Sequence, residues 1–368
     1  MPRKKINIIE NINTKPEFLG PTTKYLPTGS TMLNLLLTNT AFGGYPSGRM
    51  INLIGDSFAG KTFLLWTLFA ELFYSKIYSN YDLYYDEPEL DFEIDAEGLF
   101  GKGILEKVIW EEKNKIIPGI KVKNSKDSKT LPAHIFHSSE TIEDMGRQAL
   151  KILSLGKPCV YSVDSLDNLV SEKEKQDEDS GYIAAKRVRV FNDRFRKLIP
   201  YMKDTKSLLF LISQVRTNLD ATFGSKKTRN LGKALKHWAA QEIWLANYKP
   251  ITKTVRGKKI ITGGMVIAKV TKNKVTGRKG SVTFPLDIYY GIDDTTSIID
   301  WMLEYKFWKK SKASIKTPFG TMSKKKLIYY IEEKEKRVFK LKLEVQGAWN
   351  SLIDEIKKAD AGRKKRYS

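Results

Sequence analysis

Cysteine is almost absent from this chain. Cys159 stands alone among 368 residues, so an intrachain disulfide is excluded. Cys159 lies in "KPCVYSVDS", an apolar run that predicts a buried spacer rather than a reactive thiol. There are only three histidines, and with no Cys cluster beside them a structural zinc site is not expected. No stretch reaches the ~20 apolar residues that a spanning helix needs. The opening "MPRKKINIIENINTK" lacks the apolar core of a signal peptide, so an intracellular, cytoplasmic setting without a membrane partner is expected. No internal repeat is present. Acidic residues are also short: Asp+Glu number 42 against 64 Lys+Arg, a formal net charge of +22. Such an excess points to a polyanion, either nucleic acid or an anionic surface.

What is present reads as alternating strands and helices. The patterning predicts a capped helix in "TGSTMLNLLL", with Thr28 or Ser30 as N-cap. Strands are predicted at "RMINLIG", "YDLYYDE", "PCVYSVDS" and "SLLFLISQV", and later at "QEIWLANY", "IITGGMVIAKVTKNK" and "SVTFPLDIYY". Between them come helices over 61–75, over "SETIEDMGRQALKILSLG" with a Ser N-cap and a Gly stop, and over the basic stretch 183–203. This alternation predicts an α/β fold with a mostly parallel central sheet. A polar leader covers 1–28 and a core 29–295. A small basic region covers 296–368, where residues 305–368 carry 19 Lys/Arg against 7 Asp/Glu.

The stretch "LIGDSFAGKTFLL" fits G-x-x-x-x-G-K-[ST], a P-loop between a strand and a helix. Its glycines let the backbone wrap a phosphate, and the N–H groups of the turn and the new helix face the anion. The cradle is Gly55, Asp56, Ser57, Phe58, Ala59, Gly60, Lys61, Thr62 and Phe63. Lys61 is expected at the β- and γ-phosphates of ATP, and Thr62 on Mg²⁺. Asp164, ending the apolar strand "CVYSVD", is the expected second metal carboxylate. Attack by water needs a base, and "DEPELDFEIDAE" offers seven acids with no basic residue. Glu89 and Glu87 follow the strand most directly, with Glu97 behind them.

Together these residues resemble the RecA-type DNA strand-exchange ATPases, especially the phage UvsX-like branch, over roughly residues 25–300. Four stretches carry the resemblance in order. They are "TGSTMLNLLLTNTAFGGYPSGRMINLIGDSFAGKT", "VDSLDNL", "LISQVRTNLDATFGSKKTRNLGKALKHWAA" and "AKVTKNKVTGRKGSVTFPLDIYYGID". The resemblance implies a RecA-type core and DNA-dependent hydrolysis of ATP. It further implies a filament on single-stranded DNA that pairs with duplex DNA, helped by mediator or single-strand-binding proteins. Gln214 would sense the γ-phosphate. Lys272 and Lys274, two apart on one strand face, would reach a neighbouring subunit's nucleotide. The leader would dock on the adjacent subunit. Residues 216–236 resemble the second DNA loop, with Arg216, Lys226, Lys227 and Arg229 for phosphates and Phe223 for bases. Lys186 is the contact expected from a first loop near 172–186. That loop is acidic, unlike the family's, and the chain ends in the basic "GRKKRYS". A ring helicase or loader on the same core, and a DNA-coating protein whose nucleotide only switches assembly, are the alternative readings.

Overall fold

The computed structural model describes residues 20–89, 96–101, 104, 108–112, 115–117, 138–176, 183–217, 227–228 and 231–359. The helix α1, Thr31–Thr38, opens the core, and Ser30 rather than Thr28 caps it by accepting the Leu33 N–H at 3.4 Å. The strand β1, Met50–Gly55, runs into α2, Lys61–Tyr74. β2 is Asp82–Asp86, β3 Val108–Glu112 and β4 Lys115–Ile117. α3, Ile142–Leu153, leads to β5, Cys159–Val163. α4, Ile183–Thr205, leads to β6, Leu208–Gln214. α5, Gly232–Trp238, precedes β7, Gln241–Val255, β8, Lys258–Asn273, β9, Gly280–Asp287, and β10, Gly291–Ile292.

Among the described residues these ten strands form one sheet in the order β10-β9-β8-β7-β1-β6-β5-β2-β3-β4. The centre, from β7 to β3, is parallel, and both flanks are antiparallel. β1 and β5 are buried along their whole length, as expected of strands covered on both faces. Alternation sorts their side chains. Ile51, Leu53, Phe210 and Ile212 pack with Leu65, Leu68, Phe69 and Leu72 of α2. Met50, Leu209, Leu211 and Val163 pack on the other face with Met145 of α3, Phe191 and Phe195 of α4, and Leu235 of α5. A period of two on the strands and 3.6 on the helices is enough to produce this layering.

One predicted cap is corrected. The helix α3 takes Thr141 as N-cap, its hydroxyl accepting the Asp144 N–H at 3.0 Å, and not a serine. Ser139 is engaged elsewhere: its N–H and hydroxyl donate to Asp86 at 2.9 and 2.6 Å, and Tyr161 donates to the same carboxylate at 2.7 Å. A fully buried carboxylate at the end of β2 requires such donors, and that demand outweighs a serine's preference for the cap.

The C-terminal elements are α6, Asp294–Glu304, a three-stranded antiparallel sheet, α7, Lys324–Glu332, and α8, Glu335–Ala359. They enclose Ile298, Met302, Trp308, Leu327, Leu341 and Trp349 together with Met32 and Leu35 of α1. The opposite side of α1, through Leu33, Leu36 and Leu37, belongs to the sheet's core. All eight residues of α1 are therefore buried. Gln346 of α8 completes the join, accepting the Ala41 N–H at 2.7 Å and donating to the Asn39 carbonyl at 2.9 Å. No helix among the described residues is long and apolar enough to cross a membrane.

Candidate functional site

The parallel strands β1, β6, β5 and β2 end on one edge, and that edge carries the site. β1 stops at Gly55, and the chain turns through Asp56–Gly60 into α2. Gly60 sits at φ +89°, a left-handed conformation that suits glycine, and it precedes the first turn of α2 without any side-chain cap. The first amides of α2 are therefore not engaged by a capping side chain, the arrangement that receives an anion. Lys61 folds back, its Nζ donating to the Asp56 carbonyl at 2.8 Å. Burial lowers the Lys61 pKa, while Asp164, Glu89, Asp56 and Asp167 act in the opposite sense. Phe58 projects from the apex of the turn, 96% exposed and at φ +59°.

Thr62 and Asp164 meet directly, the hydroxyl donating to Oδ2 at 2.5 Å, and the Tyr85 hydroxyl approaches the same oxygen at 3.4 Å. A hydroxyl and a carboxylate side by side are a donor set that fits Mg²⁺. Burial pushes the Asp164 pKa up to about 6, the Thr62 hydrogen bond holding it down in part. A carboxyl with a raised pKa binds its proton more tightly when folded. The stability it confers by protonation is thus lost as pH rises from the ordinary aspartate value through about 6. Asp164→Asn is expected to stabilise the protein free of metal and nucleotide by about 2 kcal/mol at pH 8, and by much less at pH 4. Denaturant unfolding at the two pH values checks this, and equal effects at both would refute it.

Glu89, Glu87 and Gln214 line the same cavity as Lys61, Thr62 and Asp164. Gln214 donates from Nε2 to Glu89 Oε1 at 2.8 Å, and the Ser165 hydroxyl donates to that same oxygen. The backbone N–H of Gln214 is held by Asp167 at 2.6 Å. Glu87 is buried, whereas Glu97 is exposed on the short helix Ala96–Phe100 and does not line the cavity. The cavity encloses about 770 Å³, within the range of small-molecule sites. Its far wall comes from β7, β8, β9 and the residue after β9: Asn247, Ile261, Gly264, Leu286 and Ile288. A Cβ on Gly264 would fall 2.2 Å from the Asn247 amide, so glycine there is what admits Asn247.

Lys272 and Lys274 lie elsewhere. β7 runs parallel to β1, with Leu245 opposite Gly55 and Glu242 opposite Asn52, and Lys272 pairs with Glu242. Both lysines thus stand at the end of the sheet away from the P-loop. Lys272 Nζ donates to the carbonyls of Lys236 and His237, and Lys274 Nζ to that of His237 at 3.3 Å. They cover the carbonyl end of α5, as cations at a helix C-terminus do. Burial, together with Lys274, lowers the Lys272 pKa to about 8.

The expected DNA loop begins two residues past Gln214. The backbones of Arg216–Thr217 and Lys227–Thr228 pair as antiparallel strands, and α5 follows. Phe223, Lys226 and Arg229 lie outside the described residues. Lys186 is half-buried in the first turn of α4, beside Arg187, which pairs with Glu174 at 2.7 Å. Sequence reasoning passed over Tyr85, Ser165, Asp167 and Asn247. Ser165 had a signal, since it adjoins Asp164, whereas nothing local marks Asn247.

Comparison with known proteins agrees with this geometry. Residues 133–293 match the family model described as the RecA N-terminal domain. Protein RecA of Azoarcus sp. is 26% identical over 290 residues, covering 78% of this chain and 72% of that protein. Protein RecA of Geobacter sulfurreducens is 28% identical over 299 residues, covering 80% and 75%. The mitochondrial DNA repair protein recA homolog of Dictyostelium discoideum is 26% identical over 288 residues, covering 77% and 54%. With a mostly parallel sheet and a P-loop at its carboxyl edge, the chain is thus similar to RecA proteins over 78–80% of its length.

Proposed function

We propose that this chain is a DNA-dependent ATPase. It forms a filament on single-stranded DNA and promotes pairing and strand exchange with duplex DNA, in the manner of the UvsX-like branch. The observation that carries the reading is the position of Gln214. Its side chain lies in the nucleotide cavity against Glu89, and two residues later the chain enters the loop assigned to DNA. A γ-phosphate that draws Gln214 toward itself therefore pulls on that loop, and DNA in the loop acts back on the site.

In the chemical step the residues have separate tasks. The P-loop amides and Lys61 hold the phosphates and stabilise charge on the transferred group. Thr62 and Asp164 would hold Mg²⁺, which neutralises phosphate charge when bound. Glu89 takes a proton from water as the water oxygen bonds the γ-phosphorus and the bond to the β–γ bridging oxygen breaks, releasing ADP and phosphate. Glu89 is preferred because its carboxylate meets both Gln214 and Ser165. Lys272 and Lys274 complete the site of the next subunit. The leader 1–28 docks on that subunit, 29–295 form the ATPase core, and 296–368 form a small basic region. Mediator or single-strand-binding proteins assist loading.

The test is ATP hydrolysis without DNA, with short oligonucleotides, and with long single strands. Stimulation that grows with strand length is expected, because each added neighbour completes a site. Equal rates with and without DNA would overturn the reading in favour of a ring motor or loader.

A further inference from the structure

Glu89 stands where three strand ends converge. β2 leads to it, β5 leads to Ser165, and β6 ends in Gln214. Ser165 and the Gln214 amide donate to one oxygen of Glu89, Oε1. Ser165 is 1% exposed, so its hydroxyl is shielded from water and committed to this contact. Asp167 holds the Gln214 backbone N–H and leaves that side chain able to turn about a fixed strand end. Resting on the reading of Glu89 given above, we propose that Ser165 is the positioning residue for the water-activating glutamate. When the Gln214 amide turns to the γ-phosphate, it leaves Oε1. Ser165 then keeps the carboxylate aimed into the cavity, with the second oxygen directed to the water. Without that hydroxyl the carboxylate swings, and the geometry for proton abstraction is lost even though ATP still binds. Ser165 touches neither phosphate nor water in this scheme, so its effect belongs in kcat and not in KM.

Single-turnover and steady-state hydrolysis on long single-stranded DNA test the proposal. Ser165→Ala is expected to lower kcat about tenfold to a hundredfold, the usual cost of a small misplacement at a reacting centre, with the KM for ATP unchanged. Ser165→Thr, which keeps the hydroxyl, restores most of the rate. In a Glu89→Gln background Ser165→Ala adds no further loss, since the two residues act as one unit. An unchanged kcat in Ser165→Ala, or an equal loss in both backgrounds, overturns the proposal and leaves Glu89's own role standing. Full hydrolysis by Glu89→Gln overturns the reading of Glu89 and this proposal together. Binding of a fluorescent ATP analogue reports whether Ser165→Ala has folded. If it has not, Ser165→Cys, similar in size and a weaker donor, carries the same comparison.

Discussion

Replacing Lys272 and Lys274 together by alanine is expected to lower DNA-stimulated ATP hydrolysis by ~10³–10⁵, the scale of a cationic finger supplied across an interface. Binding of ATP to the isolated subunit should not change. The argument is one of direction. In parallel strands held in register, Gly55 and Lys272 belong to opposite ends of the sheet, and neither lysine lines the cavity of its own subunit. From Asn52 to Gly55 the strand advances roughly 10 Å, and the P-loop lies beyond it. The lysines can therefore serve a nucleotide only on a second copy stacked head to tail. A heterologous contact of that kind builds rings or helical filaments. Mixing makes the test specific. Lys61→Ala supplies intact lysines, and Lys272→Ala/Lys274→Ala supplies an intact P-loop. Equal amounts of the two inactive proteins should recover about a quarter of the wild-type rate, the share of randomly formed head-to-tail interfaces that carry both intact halves. No recovery from two folded proteins would place the lysines in a structural role, holding the carbonyl end of α5.

Lys61→Ala by itself is expected to cost about 10²–10³ in kcat, comparable to the loss of one preorganised donor at a developing charge. Lys61 is 7% exposed, with Asp164, Glu89, Asp56 and Asp167 close enough to act on its charge. Its removal leaves those carboxylates facing the phosphates with less positive charge to balance them. Both nucleotide affinity and turnover should fall, and DNA should stop stimulating hydrolysis. A Lys61→Ala protein that retains full strand exchange would separate that activity from hydrolysis and sink the link drawn between them.

The P-loop was legible in the residues because its chemistry is local. Gly55, Gly60, Lys61 and Thr62 lie within one turn of chain, and the strand before them and the helix after them show their own periodicity. Asp164 was legible for the same reason, as the first polar residue after a buried apolar strand. The glutamate was legible only in part. "DEPELDFEIDAE" offers seven acids; the strand before them ranks Glu89 and Glu87 over Glu97, but no local rule ranks Glu89 over Glu87. The choice depends on Ser165 and Gln214, which are 76 and 125 residues away along the chain. The cap of α3 was misread because a demand from Asp86, on another strand, diverted Ser139.

The sequence by itself determined the elements, the mostly parallel sheet and the P-loop turn, because periodicity and backbone freedom are properties of neighbours along the chain. Tertiary structure decided which glutamate meets the glutamine, that Asn247 and Ile261 close the cavity beside the P-loop, and that Lys272 and Lys274 face away from it. Those facts follow from strand order and register, which are fixed by long-range pairing and by the burial of both faces of the sheet.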